Sequence, residues 1–402
     1  MSLNDSVKVT AGGHMGNTLH TFPPDNASLP SSALSLCPTA VTLVFLPSAY
    51  TLLSLTALPG NALSLWVFLR CIATASPTHV YLSHLSVSNL MVALTAPFHA
   101  AFFARGSSWP LSGAACQLVV HGATALSYVN IHVGMAILTW LALSRFAALV
   151  QHTHASRRSA CTTLLPRGFF ARLTMASFAS RVCGGVWVAA VVGTVAFYYL
   201  VQESVRGDAA ASGGCVERCY SPAVEIGRGP AARVAVAVVA LFFLFYLLVL
   251  LSYMSALKHI ERSRRSARRK TSQSLLGRVL RNIVIIQVVL SVCLLPYYIF
   301  KAIFISWVID ERQRTYPAGA CNLCHPLSPF IELKNCLLLL AASRGSTDPL
   351  MYFLLDETFR HQGLRLLRCK RNSPDGRPAD SARGSDNQRG GQLEDGIVDF
   401  TV

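Results

Sequence analysis

Seven long apolar stretches constrain this chain more than any other feature. A helix needs about 20 mostly apolar residues to cross a bilayer. Windows of that kind lie near 44–70, 80–104, 116–149, 183–201, 232–257, 280–307 and 328–355. The third carries polar residues along one side, and the seventh is interrupted by Arg344, Asp348 and Pro349. Composition agrees: 52% of the 402 residues are hydrophobic and 13% charged, where a soluble domain has about 25% charged. No repeat of solenoid length recurs. These windows predict an all-α membrane protein, a bundle of seven transmembrane helices.

The basic residues orient the bundle. The net charge is +16, which in a soluble chain would point to nucleic acid. Here the charge gathers in particular loops, and nucleic-acid binding is set aside. Nine Lys/Arg lie between Lys258 and Arg281 with a single acid, Glu261. Arg157, Arg158, Arg167 and Arg172 follow the third window, and Arg360, Arg365, Arg368, Lys370 and Arg371 follow the seventh. Loops on the other face mix their signs, as in Arg206 with Asp208 and Arg312 with Asp310 and Glu311. By the positive-inside rule the N-terminus is outside and the C-terminus inside, consistent with a multi-pass protein of the plasma membrane.

The chain divides accordingly. Residues 1–43 form an outer segment without a compact apolar signal, carrying two glycosylation sequons at Asn4 and Asn26. Residues 44–356 hold the spans, and 357–371 read as a short amphipathic juxtamembrane helix ending near Cys369, a palmitoylation candidate or a plain thiol. The tail, 372–402, is rich in Ser, Gly, Asp and Arg and is predicted to be disordered. It ends Phe400-Thr401-Val402, a terminus that fits strand addition to a PDZ protein.

Six of the twelve cysteines fall on the outer side: Cys37, Cys116, Cys215, Cys219, Cys321 and Cys324. That side is oxidising, so they can pair. A bridge from Cys116 to Cys219 would pin the loop before the fifth window across the mouth of the bundle. Cys37 with Cys324, and Cys215 with Cys321, are further pairings, and spacing does not choose among them. A metal at Cys321-x-x-Cys324 has only His325 nearby as an extra ligand, so no metal is expected.

Single marks recur one per window: Gly60-Asn61, then "LSVSNL" with Asn89, then Cys116 and Ser144-Arg145-Phe146. Trp187, Tyr253, "CLLPYY" with Pro296, and "DPLMY" from Asp348 through Pro349 to Tyr352 complete the series. In this order the chain resembles rhodopsin-like G-protein-coupled receptors over residues 40–370. Ala96-Pro97-Phe98, Asp348 and the run "NIHVGMAILTWLALSRF" are similar to the branch of nucleotide, lipid-mediator and protease-activated receptors.

The resemblance implies a two-state bundle that couples an outer ligand to a heterotrimeric G protein, with arrestin as a further partner. It implies no cofactor and no enzymatic activity. It assigns Arg145, Tyr253, Pro296, Asp348, Pro349 and Tyr352 to the coupling switch. A lone arginine in hydrocarbon costs several kcal/mol unless it faces a polar cavity, and the alternative for Arg145 is to snorkel to headgroups. Tyr128, Lys301 and Lys334 match positions where the branch contacts ligand; His132, Tyr297 and Tyr298 share that outer half, with a hydrogen-bonded core role for His132 and plain packing for the tyrosines as the alternatives. Two ammonium groups beside aromatic rings favour a small anion: a nucleotide, a lipid mediator or a carboxylate. Pairing of Lys334 with Glu332, and of Lys301 with headgroups, are the alternatives.

Several positions depart from the family. Ser144 replaces the acid before the arginine, and no acid closes the sixth window, so the usual restraint on Arg145 is missing. The family's sodium-site residues are replaced by Asn89, Gly134 and Arg344, and Arg344 can pair with Asp348 four residues on. Asn61, Asn89, Arg344 and Asp348 thus form an expected intramembrane polar site. Leu294 replaces an aromatic and Phe245 a proline. Cys116 precedes Arg145 by 29 positions, roughly one helical turn more than usual. These changes leave a rival function open: a receptor-like protein that does not signal and acts by dimerisation or trafficking.

Overall fold

The computed structural model describes residues 28–30, 37–72, 76–107, 122–154, 167–211, 230–265, 270–311, 315–317 and 324–369. Residues 1–362 form one compact unit and 363–402 a second. Of the second, only the end of one helix is described.

The first span runs as a helix over Val41–Cys71, with α1 (Leu46–Trp66) at its centre. α2 is Pro77–Ala104, α3 is Thr124–His154, and a short α4 covers Arg167–Leu173. α5 is Ala176–Ala211 and α6 is Pro230–Arg265. The sixth span joins α7 (Lys270–Val289) to α8 (Leu295–Glu311) through a π-helical turn, Leu290–Leu294. α9 is Ser328–Leu355 and α10 is Glu357–Cys369. Two three-residue strands, β1 (Ser28–Pro30) and β2 (Thr315–Pro317), pair antiparallel.

Six helices are long and apolar enough to cross a membrane by composition alone. The seventh span, α9, falls short because it carries Glu332, Lys334, Arg344 and Asp348. Yet Lys334, Arg344 and Asp348 are buried, while Phe330, Leu333, Leu350 and Leu354 face outward. Charge is turned to the bundle and apolar surface to the lipid, the only orientation hydrocarbon tolerates. The protein is therefore a seven-helix bundle and a multi-pass membrane protein.

The core runs down the bundle axis through α2, α3 and the sixth and seventh spans, with Leu85, Leu138, Leu294 and Tyr352 all essentially inaccessible. α1 packs on α9 because Gly60 lets Pro349 come close: a Cβ there would meet its ring at 3.0 Å. A second cluster stacks Tyr50 on His99 and Phe103, at 5.1 and 5.7 Å between centroids. The fourth span begins at Ala176, seven residues before the apolar window. Its added turns carry Ser177, Ser180 and Arg181, which lower hydropathy without breaking a helix. Phe178 anchors that start edge-on against Trp140 at 6.1 Å.

Both ends of α9 are tied down. At one end Cys37 and Cys324 are joined by a disulfide, and Glu332 accepts from the Thr39 amide at 2.8 Å and from the Thr39 and Thr42 hydroxyls. At the other end Asp356 lies between α9 and α10. It receives His79 Nε2 at 2.9 Å and the Phe359 amide at 2.8 Å. His79 Nδ1 in turn accepts from the Ser76 amide at the start of α2. Cys116, Cys215, Cys219, Cys321, Asn4 and Asn26 lie outside the described residues, as does the tail. Cys369 is the last residue of α10.

Burial of Asp356 works to raise its pKa, but the hydrogen bond and charge of His79 outweigh it and hold the carboxyl below its ordinary range. A depressed carboxyl stabilises the fold above its unfolded pKa, and that contribution is lost as pH falls through the folded value. Asp356→Asn should lower the melting temperature of detergent-solubilised protein at pH 7. The gap to wild type should narrow below about pH 4, where the unfolded carboxyl protonates. A gap that does not change with pH would show that the carboxylate charge contributes nothing.

Candidate functional site

Three sets of polar residues stand along the bundle: one at mid-depth, one at the Arg145 end and one toward the disulfide end. The middle set is the most buried. Arg344 is 0% exposed, and so is Asp348. Arg344 Nη1 lies 3.4 Å from Asp348 Oδ2. Its Nη2 donates to Asn89 Oδ1 at 3.4 Å and to Asn130 Oδ1 at 3.3 Å. Asn89 Nδ2 donates to Asp348 Oδ2 at 2.7 Å and to Asn61 Oδ1 at 3.0 Å. Asn130 Nδ2 reaches Ser88 Oγ at 2.8 Å, and Asn61 Nδ2 reaches the Gly345 carbonyl at 2.7 Å.

The sequence pattern gives Asn61, Asn89, Arg344 and Asp348, and the structure brings all four together. It adds Asn130 and Ser88. Asn130 precedes Gly134 by one helical turn, so it shares a face with a position the sequence already singles out. Gly134 makes the arrangement possible. A Cβ at 134 would fall inside the guanidinium of Arg344. The arginine side chain therefore lies flat against the backbone of α3, in space that a serine would take. The site holds its own cation and its own anion, so its net charge is near zero.

At the Arg145 end the switch residues separate. Tyr253 packs with Phe146 against Leu149, Ala256 and Ile283. Tyr352 is fully buried and turns its hydroxyl toward Asn89 Nδ2, 3.4 Å away. Its ring meets Phe68 edge-on at 5.8 Å. Ser144, which replaces the expected acid, donates its hydroxyl to the Leu173 carbonyl at 3.0 Å. That bond docks α4 onto α3. The sequence offers no acid for Arg145 in the third or sixth span. Among the influences that favour the Asp356 carboxylate, the charge of Arg145 is the weakest, behind His79 and the Phe359 amide. Neither Asp356 nor His79 is marked by the sequence, although Ser76-Pro77 does signal a helix start there.

Toward the disulfide end a cavity of about 300 Å³ lies between α3, α5, α6 and α8. Tyr128, His132 and Lys301 line it. Lys301 Nζ sits 4.9 Å from the Tyr128 ring centroid and 5.6 Å from that of Tyr297. Phe245, the residue at the expected proline position, forms part of the wall. The other three expected ligand residues are not in the lining. Tyr298 stacks face to face on Phe242 at 3.9 Å, which ties the sixth span to α6. Tyr297 packs edge-on against Tyr298, and both are 1% exposed. Lys334 is buried on α9, its Nζ 5.9 Å from the Phe304 ring. These tyrosines and Lys334 share the outer half of the bundle with the cavity, outside its lining. No His/Cys/Asp/Glu cluster able to hold a metal occurs among the described residues.

The seven spans, a buried polar centre and a cavity on one side of it define a membrane receptor. The family model for the 7 transmembrane receptor (rhodopsin family) matches residues 60–352, and the chain belongs to that family. It is 33% identical over 345 residues to the human "Probable G-protein coupled receptor 82", covering 84% of this chain and 95% of the relative. To the mouse protein of the same name it is 32% identical over 327 residues, covering 80% and 94%. It is 25% identical to the human "Uracil nucleotide/cysteinyl leukotriene receptor", covering 88% and 86%. The chain is thus a receptor and not an enzyme.

The fit of Arg344 over Gly134 sets up a reciprocal test. Gly134→Ser should destabilise the receptor by about 1–3 kcal/mol, the usual cost of overpacking. In an Arg344→Asn background, itself costly because Asp348 loses its cation, Gly134→Ser should add little further loss, read as the melting temperature of purified protein. An additive loss in the double variant would refute the contact. Asp348→Ala, which strands a buried guanidinium, should cost about 3–5 kcal/mol.

Proposed function

We propose that this receptor binds a small anionic ligand from the outside of the cell and activates a heterotrimeric G protein at the inner face. The observation that carries the reading is the cavity in which Lys301 lies over the Tyr128 ring, beside His132. An ammonium group held in a partly dry, mainly apolar pocket favours an anion with an aromatic or acyl portion. One relative's name joins a uracil nucleotide to a cysteinyl leukotriene, and these are anions of the two kinds.

The orientation belongs to the same proposal. The basic loops cluster at the Arg145 end, while the Cys37–Cys324 disulfide lies at the other and needs an oxidising compartment. On this reading the N-terminus is outside, in the plasma membrane, and Arg145 faces the G protein. The outer segment 1–43, the juxtamembrane helix 357–371 and the tail 372–402 take the corresponding sides. Lipidation at Cys369, glycans at Asn4 and Asn26, arrestin and a PDZ partner belong to this proposal without further support from the structure.

With Ser144 bonded to Leu173, no acid on α3 holds Arg145, so basal activity should be raised. The test is nucleotide exchange on each G-protein family, with receptor in vesicles and a panel of nucleotides, lysophospholipids and carboxylic acids. Ser144→Asp should lower basal exchange, and Arg145→Ala should abolish it. Lys301→Ala should weaken the active ligand by about tenfold or more, the loss of a charge-assisted contact. No exchange with any family, and no difference between wild type and Arg145→Ala, would favour the rival reading of a non-signalling receptor.

A further inference from the structure

The start of α9 is held by a titratable side chain. A helix leaves its first amides without partners inside the helix, and a Ser, Thr, Asp or Asn side chain commonly takes one of them. Here Leu327 stands at the cap position and supplies no side-chain bond, and a proline, Pro329, sits in the first turn. His325 takes the role instead. Its Nδ1 accepts the Leu327 amide at 3.1 Å, and its carbonyl accepts the Ser328 amide at 2.9 Å. Both residues leading into α9 thus depend on one histidine, which is 3% exposed.

The acceptor role fixes the protonation state. A backbone N–H cannot turn away, so Nδ1 is bare and the ring is neutral, with its proton on Nε2. A second proton would set two N–H groups against each other. Burial pushes His325 below its ordinary value of 6.5, and the charge of Glu311, itself buried at the end of α8, works the other way. Among the described residues, Glu311 is the charged group that acts on the ring. Asp310 beside it is exposed, Glu332 on α9 is taken up by Thr39 and Thr42, and Cys324 and Cys37 are joined. A depressed histidine binds its proton more readily once the cap has opened. The cap is therefore fully present above about pH 6.5 and weakens as pH falls from there toward the folded value.

The cap sits between two fastenings. Cys324, the residue before His325, carries the disulfide to Cys37. Glu332, one turn beyond Ser328, accepts from the Thr39 amide and from the Thr39 and Thr42 hydroxyls. Phe330, between them, packs on Trp307 of α8 at 4.5 Å. When the first turn frays, the disulfide stays and Glu332 loses its fixed place.

We propose that His325 is a proton-sensitive pin: protonation at Nδ1 frees the first turn of α9 and slackens the hold of Glu332 on Thr39 and Thr42. On the orientation proposed above, on which this part of the proposal rests, that end faces the cell exterior, so the pin answers to acid outside the cell.

Hydrogen exchange of the full-length receptor in phospholipid nanodiscs tests it, read by mass spectrometry at pH values about one unit above and below 6.5 and corrected for the intrinsic pH dependence of exchange. Nanodiscs expose both faces, so the result does not depend on orientation. On acidification the amides of residues 327–333 should lose about fivefold in protection, as expected for losing a helix cap, and those of 39–43 should follow. His325→Asn, whose Oδ1 can stand where Nδ1 does but takes no proton, should show no such loss. His325→Ala should exchange at the acid level at both pH values, and thermal unfolding of each variant checks the fold.

Unchanged protection in acidified wild type overturns the pin, and so does full protection in His325→Ala. An equal acid-induced loss in His325→Asn also overturns it, because another group then titrates. Orientation is read separately, by labelling an N-terminal epitope on intact cells. An inward epitope overturns the response to external acid and leaves the pin standing.

Discussion

The bundle depends on one buried cation and what surrounds it. A guanidinium in the middle of a membrane protein costs several kcal/mol unless it is paired and hydrogen-bonded. Arg344 meets part of that demand with side chains from three helices: Asn89 on α2, Asn130 on α3 and Asp348 on its own helix, while its Nε and the Asp348 Oδ1 stay buried without a hydrogen bond. Each partner is itself held, Asn130 by Ser88 and Asn89 by Asn61 and Asp348. The relative heights of α2, α3 and α9 are fixed by these short bonds. Apolar packing alone would tolerate some sliding, because lipid and leucine are equally apolar. The network specifies register, as polar groups in a core often do.

Two other features follow from where that centre sits. Tyr352 lies one turn below Asp348, and its hydroxyl joins the same cluster through Asn89. Tyr253 belongs to a different cluster, packed against Leu149 and Ile283. In this structure the mid-bundle network and the Arg145 end are linked through α9. At the far end of that helix Asp356 takes the His79 bond and feels the charge of Arg145. The same helix carries Glu332 and the neighbouring disulfide at the other surface. α9 is thus fastened at both ends and at its centre, whereas α5 is mostly exposed and lightly held.

Much of this is legible in the sequence, and the reasons differ by level. Seven apolar windows mark the spans because bilayer thickness sets helix length. Boundaries are less legible: the fourth helix starts at Ala176 because a helix continues through Ser180 and Arg181 where hydropathy falls. The polar centre is half legible. Arg344 and Asp348 stand four apart, so their pairing follows from helix geometry alone. Asn130 is invisible because a single amide in an apolar window has no local signature, and its role depends on the angle of α3. The ligand residues show the limit most clearly. Lys301 and Tyr298 are three residues apart, yet one lines the cavity and the other stacks on Phe242. Which of two neighbours faces a cavity is set by the rotation of the helix after its proline, and sequence spacing does not fix that rotation.

That rotation also bears on how a ligand could be felt at the other end. Pro296 removes one backbone hydrogen bond, and a π-helical turn at Leu290–Leu294 directly precedes it. The sixth span can bend there more cheaply than elsewhere. Lys301 lies beyond the bend, and Ile283, which packs beside Tyr253, lies before it. The turn between them packs against α9, the helix that carries Arg344 and Asp348. A ligand shifts populations only through contacts that differ between states. Under the proposed function, an anion at Lys301 would act beyond the bend, while α9, which carries the guanidinium, packs beside it. A switch in this bundle then has to work around a guanidinium buried at mid-depth, with the cavity between α3, α5, α6 and α8 on the other side of the bend.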